Sequence, residues 1–262
     1  ATLTITGTAG PITLDPDTLS DLVMHKRRLF FVEDGTLRVW YLGTDAIQGA
    51  ANLLDLGSVF QLGGKIAAIG TWSLDGGQGQ DDYLAIITDQ GEVAIYQGTD
   101  PDDPLNWSIV GDFHVGQPLG KRCLLQFGSD LLVLTQGGVQ AMSQALKLNR
   151  AQDDNVAITA LIQNAFQTAT STYKDNFGWD SITYDIGALA IYNIPTSELV
   201  TSVQYVQNLQ TGAWCRFTGL NAFCWATTDD YIFYGGTDGL YQWDVGVTDH
   251  GNDLTCDLQT AF

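Results

Sequence analysis

The stretch DDYLAIITDQGEVAIYQGT, residues 81–99, decides how the chain is read. Residues 83–88 and 92–97 are apolar, β-branched and aromatic runs, and Asp89, Gln90 and Gly91 stand between them. That composition predicts two antiparallel strands joined by a tight turn. The pattern recurs at residues 30–40 around Asp34 and Gly35, at 132–142 around Gly137 and Gly138, and at 233–243 around Asp238 and Gly239. A weaker copy lies at 181–192 around Gly187. With Gly35, Gly91, Gly138, Gly187 and Gly239 as markers the period is roughly 50 residues, the range in which four-stranded propeller blades repeat. The expectation is an all-β chain: a β-propeller of about five blades in a single domain over residues 1–262, with one helical insertion between blades around 145–170, reaching to 178.

Outward from that hairpin, residues 65–72 predict the inner strand of the same blade and 107–110 a fourth strand. Residues 122–127, 131–135 and 139–142 predict three strands of the next blade. Residues 44–60, small and polar, read as a crossing segment without a strand. In residues 156–170 the period changes: Ile158, Leu161, Ile162, Ala165, Phe166 and Ala169 follow helical spacing, and Asp153, Asp154 and Asn155 precede them as N-cap candidates. Residues 2–6 alternate Thr with Leu and Ile, and residues 254–258 form a last apolar run. Neither has a local partner, so residues 2–6 are expected to pair with the final blade and close the array.

The 30 Asp+Glu against 11 Lys+Arg give a net charge of −19, which argues against a general binder of nucleic-acid backbone. Two basic clusters, His25-Lys26-Arg27-Arg28 and Lys121-Arg122, each precede an apolar strand; a charged strand start or a contact to an acidic partner would account for them. No apolar run is long enough to span a membrane, and the N-terminal ten residues lack signal-peptide features, so synthesis inside the cell is expected. Cys123, Cys215, Cys224 and Cys256 lie singly in strand-like runs and read as free thiols, a Cys215–Cys224 bridge being the alternative.

Candidate sites are sparse. The loop DGGQGQDD offers Asp75, Asp81 and Asp82 as weak calcium-like ligands, although a solvated loop is the plainer explanation and no EF-hand spacing is present. A second acidic loop carries Asp244, Asp249 and Asp253. The proline-bearing turn with Asp102 and Asp103, and the helix with Leu161, Ile162 and Phe166, are the candidates for contacts between subunits. Covering the chain's own rim is the plainer use of the helical stripe. His25, His114 and His250 are far apart in sequence, and none stands beside a nucleophile. The motifs of serine hydrolases, zinc proteases, phosphate loops and dinucleotide folds are missing. No cofactor and no catalytic residue is indicated, though paired carboxylates for glycosidic chemistry have many candidates among the thirty acids.

The strings HKRRLFFVEDGTLRVWYLGTDAIQGAA, IGTWSLDGGQGQDDYLAIITDQGEVAIYQGTDPDDPLNWSIVG, PLGKRCLLQFGSDLLVLTQGGVQAMSQAL and QNLQTGAWCRFTGLNAFCW resemble a family of tailed-bacteriophage structural proteins, the propeller-bearing tail nozzle or tail-tube hub proteins of short-tailed phages and prophages. The resemblance runs over residues 20–262, and EVAIYQGTDP with GKRC downstream is its most specific part. It implies a non-enzymatic virion protein, made in the cytoplasm of the bacterial host. Such a protein forms ring-shaped homo-oligomers, often hexamers, below the portal and adaptor proteins, and DNA leaves through the ring without specific binding. The alternative from a different class is a carbohydrate-active or host-glycan-binding propeller.

Overall fold

The structure is a computed structural model that describes residues 4–75, 80–145, 157–228, 231–246, 248–249 and 252–253. The first sheet contains β1 (Ile5–Ala9), β2 (Ile12–Thr13), β3 (Leu19–His25), β4 (Arg28–Glu33), β5 (Arg38–Tyr41) and β6 (Gly49–Asp55), in the spatial order β2-β1-β6-β5-β4-β3. The second contains β7 (Ile66–Asp75), β8 (Gln80–Thr88), β9 (Glu92–Gly98) and β10 (Trp107–His114), and the third β11 (Leu124–Phe127), β12 (Asp130–Thr135) and β13 (Gly138–Ala141). A short helix α1 (Met142–Ala145) and a longer α2 (Gln163–Tyr173) follow. The fourth sheet is β14 (Asp180–Tyr184), β15 (Leu189–Ser197), β16 (Thr201–Asn208) and β17 (Trp214–Thr218). The fifth is β18 (Cys224–Thr228), β19 (Tyr231–Gly235) and β20 (Leu240–Trp243). The chain is therefore all-β with a helical insertion between its third and fourth sheets.

Within sheets two to five every strand pairs antiparallel with its neighbour in sequence. The leading hairpin forms as read, with Tyr83 opposite Gln97 and Ile87 opposite Val93. Its Gly91 has φ +85°, and a Cβ there would stand 2.5 Å from the carbonyl oxygen of Val115, so both conformation and space require glycine. The first strands of successive sheets meet in chain order: β3 on β7, β7 on β11, β11 on β14 and β14 on β18.

Alternating side chains give each sheet two apolar faces, and these build the cores between sheets. Phe30, Val32 and Tyr41 meet Leu84, Ile86 and Trp107 between sheets one and two. Trp72, Ala85 and Ile95 meet Leu131 and Val133 between two and three. Leu132, Leu134 and Val139 meet Phe166, Tyr192 and Ile194 between three and four. Ile191 and Val206 meet Ile232, Trp225 and Trp243 between four and five. The other face of sheet one, with Phe31, Trp40 and Leu42, is covered by Ile5, Ile12 and Leu14.

Four sequence expectations change. Residues 44–60 contain a strand: β6 pairs antiparallel with β5 and lies between β5 and β1, and its sequence does not announce it because Ala51 is its one buried side chain. The N-terminal strand does not reach the fifth sheet. It pairs parallel with β6, Ile5 opposite Gly49, where Ile5 helps cover Trp40. The physical reason is the exposed edge of β6, a nearer template than the fifth sheet. Gly187 is not equivalent to the other markers, because it precedes the second strand of its sheet while they precede the third. The matching turn between β15 and β16 uses Leu199 at φ +55°, so the glycine pattern misses it. Finally, residues 158–162 form a 3-10 turn and the α-helix starts only at Gln163, with no side-chain cap at Ile162. The N-cap candidates Asp153, Asp154 and Asn155 lie outside the described residues, as does the run 254–258.

Candidate functional site

The basic residues do their work inside the chain. Lys26 and Arg27 occupy positive φ, 46° and 66°, in the turn between β3 and β4. From there Lys26 pairs with Asp82 at 3.2 Å and Arg27 with Asp45. Arg28 pairs with Asp100 at 2.7 Å and also donates to the carbonyl of Thr99 at 3.0 Å. Lys121 reaches Asp34 at 3.0 Å, and Arg122 reaches Asp180 at 3.5 Å. Except for Arg27–Asp45, these pairs join different sheets or the segments between them. Lys26, Arg28, Lys121 and Arg122 thus help to hold neighbouring sheets together.

Carboxylates complete the junctions. Asp21 on β3 accepts from the backbone N–H of Ile69 on β7 at 3.2 Å, and Asp180 on β14 accepts from that of Trp225 on β18 at 3.0 Å. The device is the same twice: an acid on one first strand holds the next first strand. Glu92, 6% exposed, accepts from the N–H groups of Gln61 and Leu62, both at 2.8 Å, and so fastens the segment that leads from sheet one to sheet two. Between sheets four and five, Asn193 donates to Gly178 and Ala222, and Gln204 donates to Asn193 and Leu220. Buried and bonded in this way, such groups fix the relative position of neighbouring sheets.

Around Lys121, Arg122 and Cys123 the charges of Asp21, Asp34 and Asp180 converge. The Lys121 hydrogen bond holds the Asp34 carboxyl below its ordinary range. Burial raises Asp21, and it lifts Asp180 to about 6 against the opposing pull of Arg122. Burial pushes the Cys123 thiol up to about 12, which leaves it an inert core group. Asp180 has the pKa of an acid-base group, yet it is 6% exposed and its oxygens already accept from Ser181, Trp225 and Arg122. Its geometry is that of a strut.

The candidate contact residues separate. Phe166 is fully buried against Trp179 and Tyr205, so it belongs to the core between sheets three and four and offers nothing to a partner. Ile162 packs on the same core, whereas Leu161 is 82% exposed. Asp102 accepts from the Tyr41 hydroxyl at 2.5 Å and from the Asn52 amide at 2.8 Å, which ties the loop after β9 to sheet one. Asp103 accepts from the N–H of Leu105 at 3.0 Å and stiffens the turn. Asp82 is bound to Lys26, while the side chains of Asp75 and Asp81 lie outside the described residues. Among the described residues no three potential metal ligands gather. His25 is 1% exposed between Phe30 and Trp107, with neither nitrogen in a well-formed hydrogen bond. Cys123, Cys215 and Cys224 are free thiols, so the Cys215–Cys224 bridge is absent; Cys256 and His250 lie outside the described residues.

The sequence reading missed the acids that grip backbone across junctions, because an Asp within a strand carries no mark of what it will accept. It also missed Leu105, 94% exposed beside Asp103, and a groove of about 360 Å³ between α2 and the fourth sheet.

No protein-family model matches the chain, and no curated protein matches it. Among solved structures it is similar in fold to a provisionally assigned 6-phosphogluconolactonase from Bacteroides uniformis, with 16% identity and a TM-score of 0.50. That match takes in 84% of this chain and 65% of the other, so the chain spans less than two thirds of that protein's length. A provisionally assigned exported protein from Bacteroides fragilis matches over 84% of this chain and 79% of its own, at 8% identity and a TM-score of 0.31.

Proposed function

We propose that the chain is a non-enzymatic structural component of a bacteriophage tail, of the nozzle or tail-hub kind, and that its five sheets are consecutive blades of a β-propeller. In this reading copies assemble as a ring beneath the portal and adaptor proteins, and DNA leaves through it. The observation that carries the reading is the use of the cations. Of 11 Lys+Arg, six are held in ion pairs within the chain, while 30 acids give the net charge of −19. A wall of that kind repels a polyanion, and a conduit benefits because each phosphate neutralised by a free cation would add affinity and slow passage.

A second reading, a carbohydrate-active or glycan-binding propeller, draws on the likeness in fold to the assigned lactonase. Binding assays separate the two. The tail reading expects no retention of duplex DNA at low salt and no signal on a glycan array. Tight DNA binding would contradict the conduit, and saturable glycan binding or lactone hydrolysis would favour the second reading.

A further inference from the structure

The turn between β9 and β10 presents an apolar knob. Leu105 is 94% exposed, yet the backbone beneath it is fixed. Asp103 N–H donates to Asp100 and Asn106 N–H to Asp103, at 3.0 and 2.9 Å, and the Asp103 carboxylate accepts from Leu105 N–H. Arg28 holds Asp100, and Tyr41 and Asn52 hold Asp102, so the turn is braced against the first sheet. Pro101 and Pro104 stiffen it further. A leucine in water on a rigid mount, with the carboxylates of Asp102 and Asp103 just before it in the turn, has the form of a preorganised contact.

On the other side of the chain's organisation, α2 covers only part of the fourth sheet. Cross-strand pairing places Tyr192, Tyr205 and Arg216 side by side on β15, β16 and β17, and Ile194 beside Val203. The helix leaves a groove of about 360 Å³ whose lining includes Ala165, Ala169, Ile194, Val203, Tyr205 and Arg216. Small side chains on the helix and apolar ones on the sheet make it a receptor for an aliphatic group. Arg216 is exposed and takes part in none of the ion pairs found among the described residues. In so acidic a chain an unpaired guanidinium at an apolar groove selects an apolar group with a carboxylate next to it.

We infer that Leu105 and its acidic collar on one copy dock into the Arg216 groove of the next, a head-to-tail contact between two different surfaces of the same chain. When each copy gives its knob to one neighbour and its groove to another the contact is heterologous, and repetition generates a ring when the rotation closes and a filament when it does not. The inference rests on the assembly reading, because it supplies the contact such a ring requires.

The test uses Leu105→Glu and Arg216→Glu. Both side chains are exposed, so folding should be unaffected, and Leu105→Ala with Arg216→Gln provide milder versions. By sedimentation velocity the wild-type chain should self-associate, and each glutamate variant alone should lose at least tenfold in association. Mixed together, the two variants should form dimers and nothing larger, since the mixture contains one intact knob with one intact groove. Association unchanged in both variants, a mixture that stays monomeric, or a wild-type chain that is monomeric throughout would overturn the contact. Closed rings that survive both substitutions would overturn it while leaving the tail reading in place. Open filaments abolished by either substitution would uphold the contact and count against the ring.

Discussion

His25 and Asp180 pull the pH dependence of stability in opposite directions. Burial lowers His25 to about 4, with partial compensation from the Gly98 backbone, whereas the unfolded histidine titrates near 6.5. Between those values the unfolded chain binds more protons, so this contribution falls as pH drops from 6.5 to 4. Asp180 is raised to about 6 from 3.8, so between those values the folded chain binds more protons, and its contribution falls as pH rises. Each amounts to a few kcal/mol across its window, on the order of 1.4 kcal/mol per pKa unit. Denaturant titrations from pH 4 to 7 should therefore show partial cancellation in the native chain. His25→Phe should leave stability falling with pH, an effect to which the raised Asp21 adds, and Asp180→Asn should leave it rising. Identical profiles for all three proteins would refute the assignment. Gly7 gives a steric case: a Cβ there would lie 2.5 Å from the Trp40 ring and 3.1 Å from the carbonyl oxygen of Ala51. Gly7→Ala should cost about 1–3 kcal/mol by thermal melting, as overpacking does, and a neutral result would mean that Trp40 shifts freely.

Elements carry the next level of the account. The α2 helix is anchored by Phe166 and by two ties to the third sheet and its turn, Gln163 donating to Gly137 and the Thr170 hydroxyl donating to Gln136, at 3.0 and 3.2 Å. Phe166→Ala should cost about 3–5 kcal/mol, the usual cost of emptying an aromatic core site, whereas Leu161→Ala at 82% exposure should be near neutral. Equal effects would contradict the orientation of the helix. The hairpins at Gly35, Gly91, Gly138 and Gly239 were legible because turn chemistry and period two coincide there. The β15–β16 turn was not, since Leu199 takes a positive φ that its residue type does not announce. The β6 strand was hidden by its small, half-exposed side chains, and the parallel pairing of β1 by the fact that no local pattern encodes a partner about 40 residues away. Of the candidate contacts, Asp102 and Asp103 were found by composition, but the bond that matters to Asp102 comes from Tyr41, which only the packing of two sheets brings near.

Across the described residues, four cores join the five larger sheets in series, and the N-terminal strands cover the far face of the first. Truncating residues 1–14 should expose Trp40, Leu42 and Phe31 and lower stability by several kcal/mol through lost apolar burial. The damage should be confined to the first sheet, with hydrogen-exchange protection of β18 to β20 unchanged. Loss of protection there instead would restore the closure expected from the sequence. The proposal that the chain is an acidic ring-forming conduit is open to direct test by negative-stain microscopy of the purified protein. Closed rings of uniform size with an open centre are expected, and a field of dispersed monomers at every concentration would contradict it.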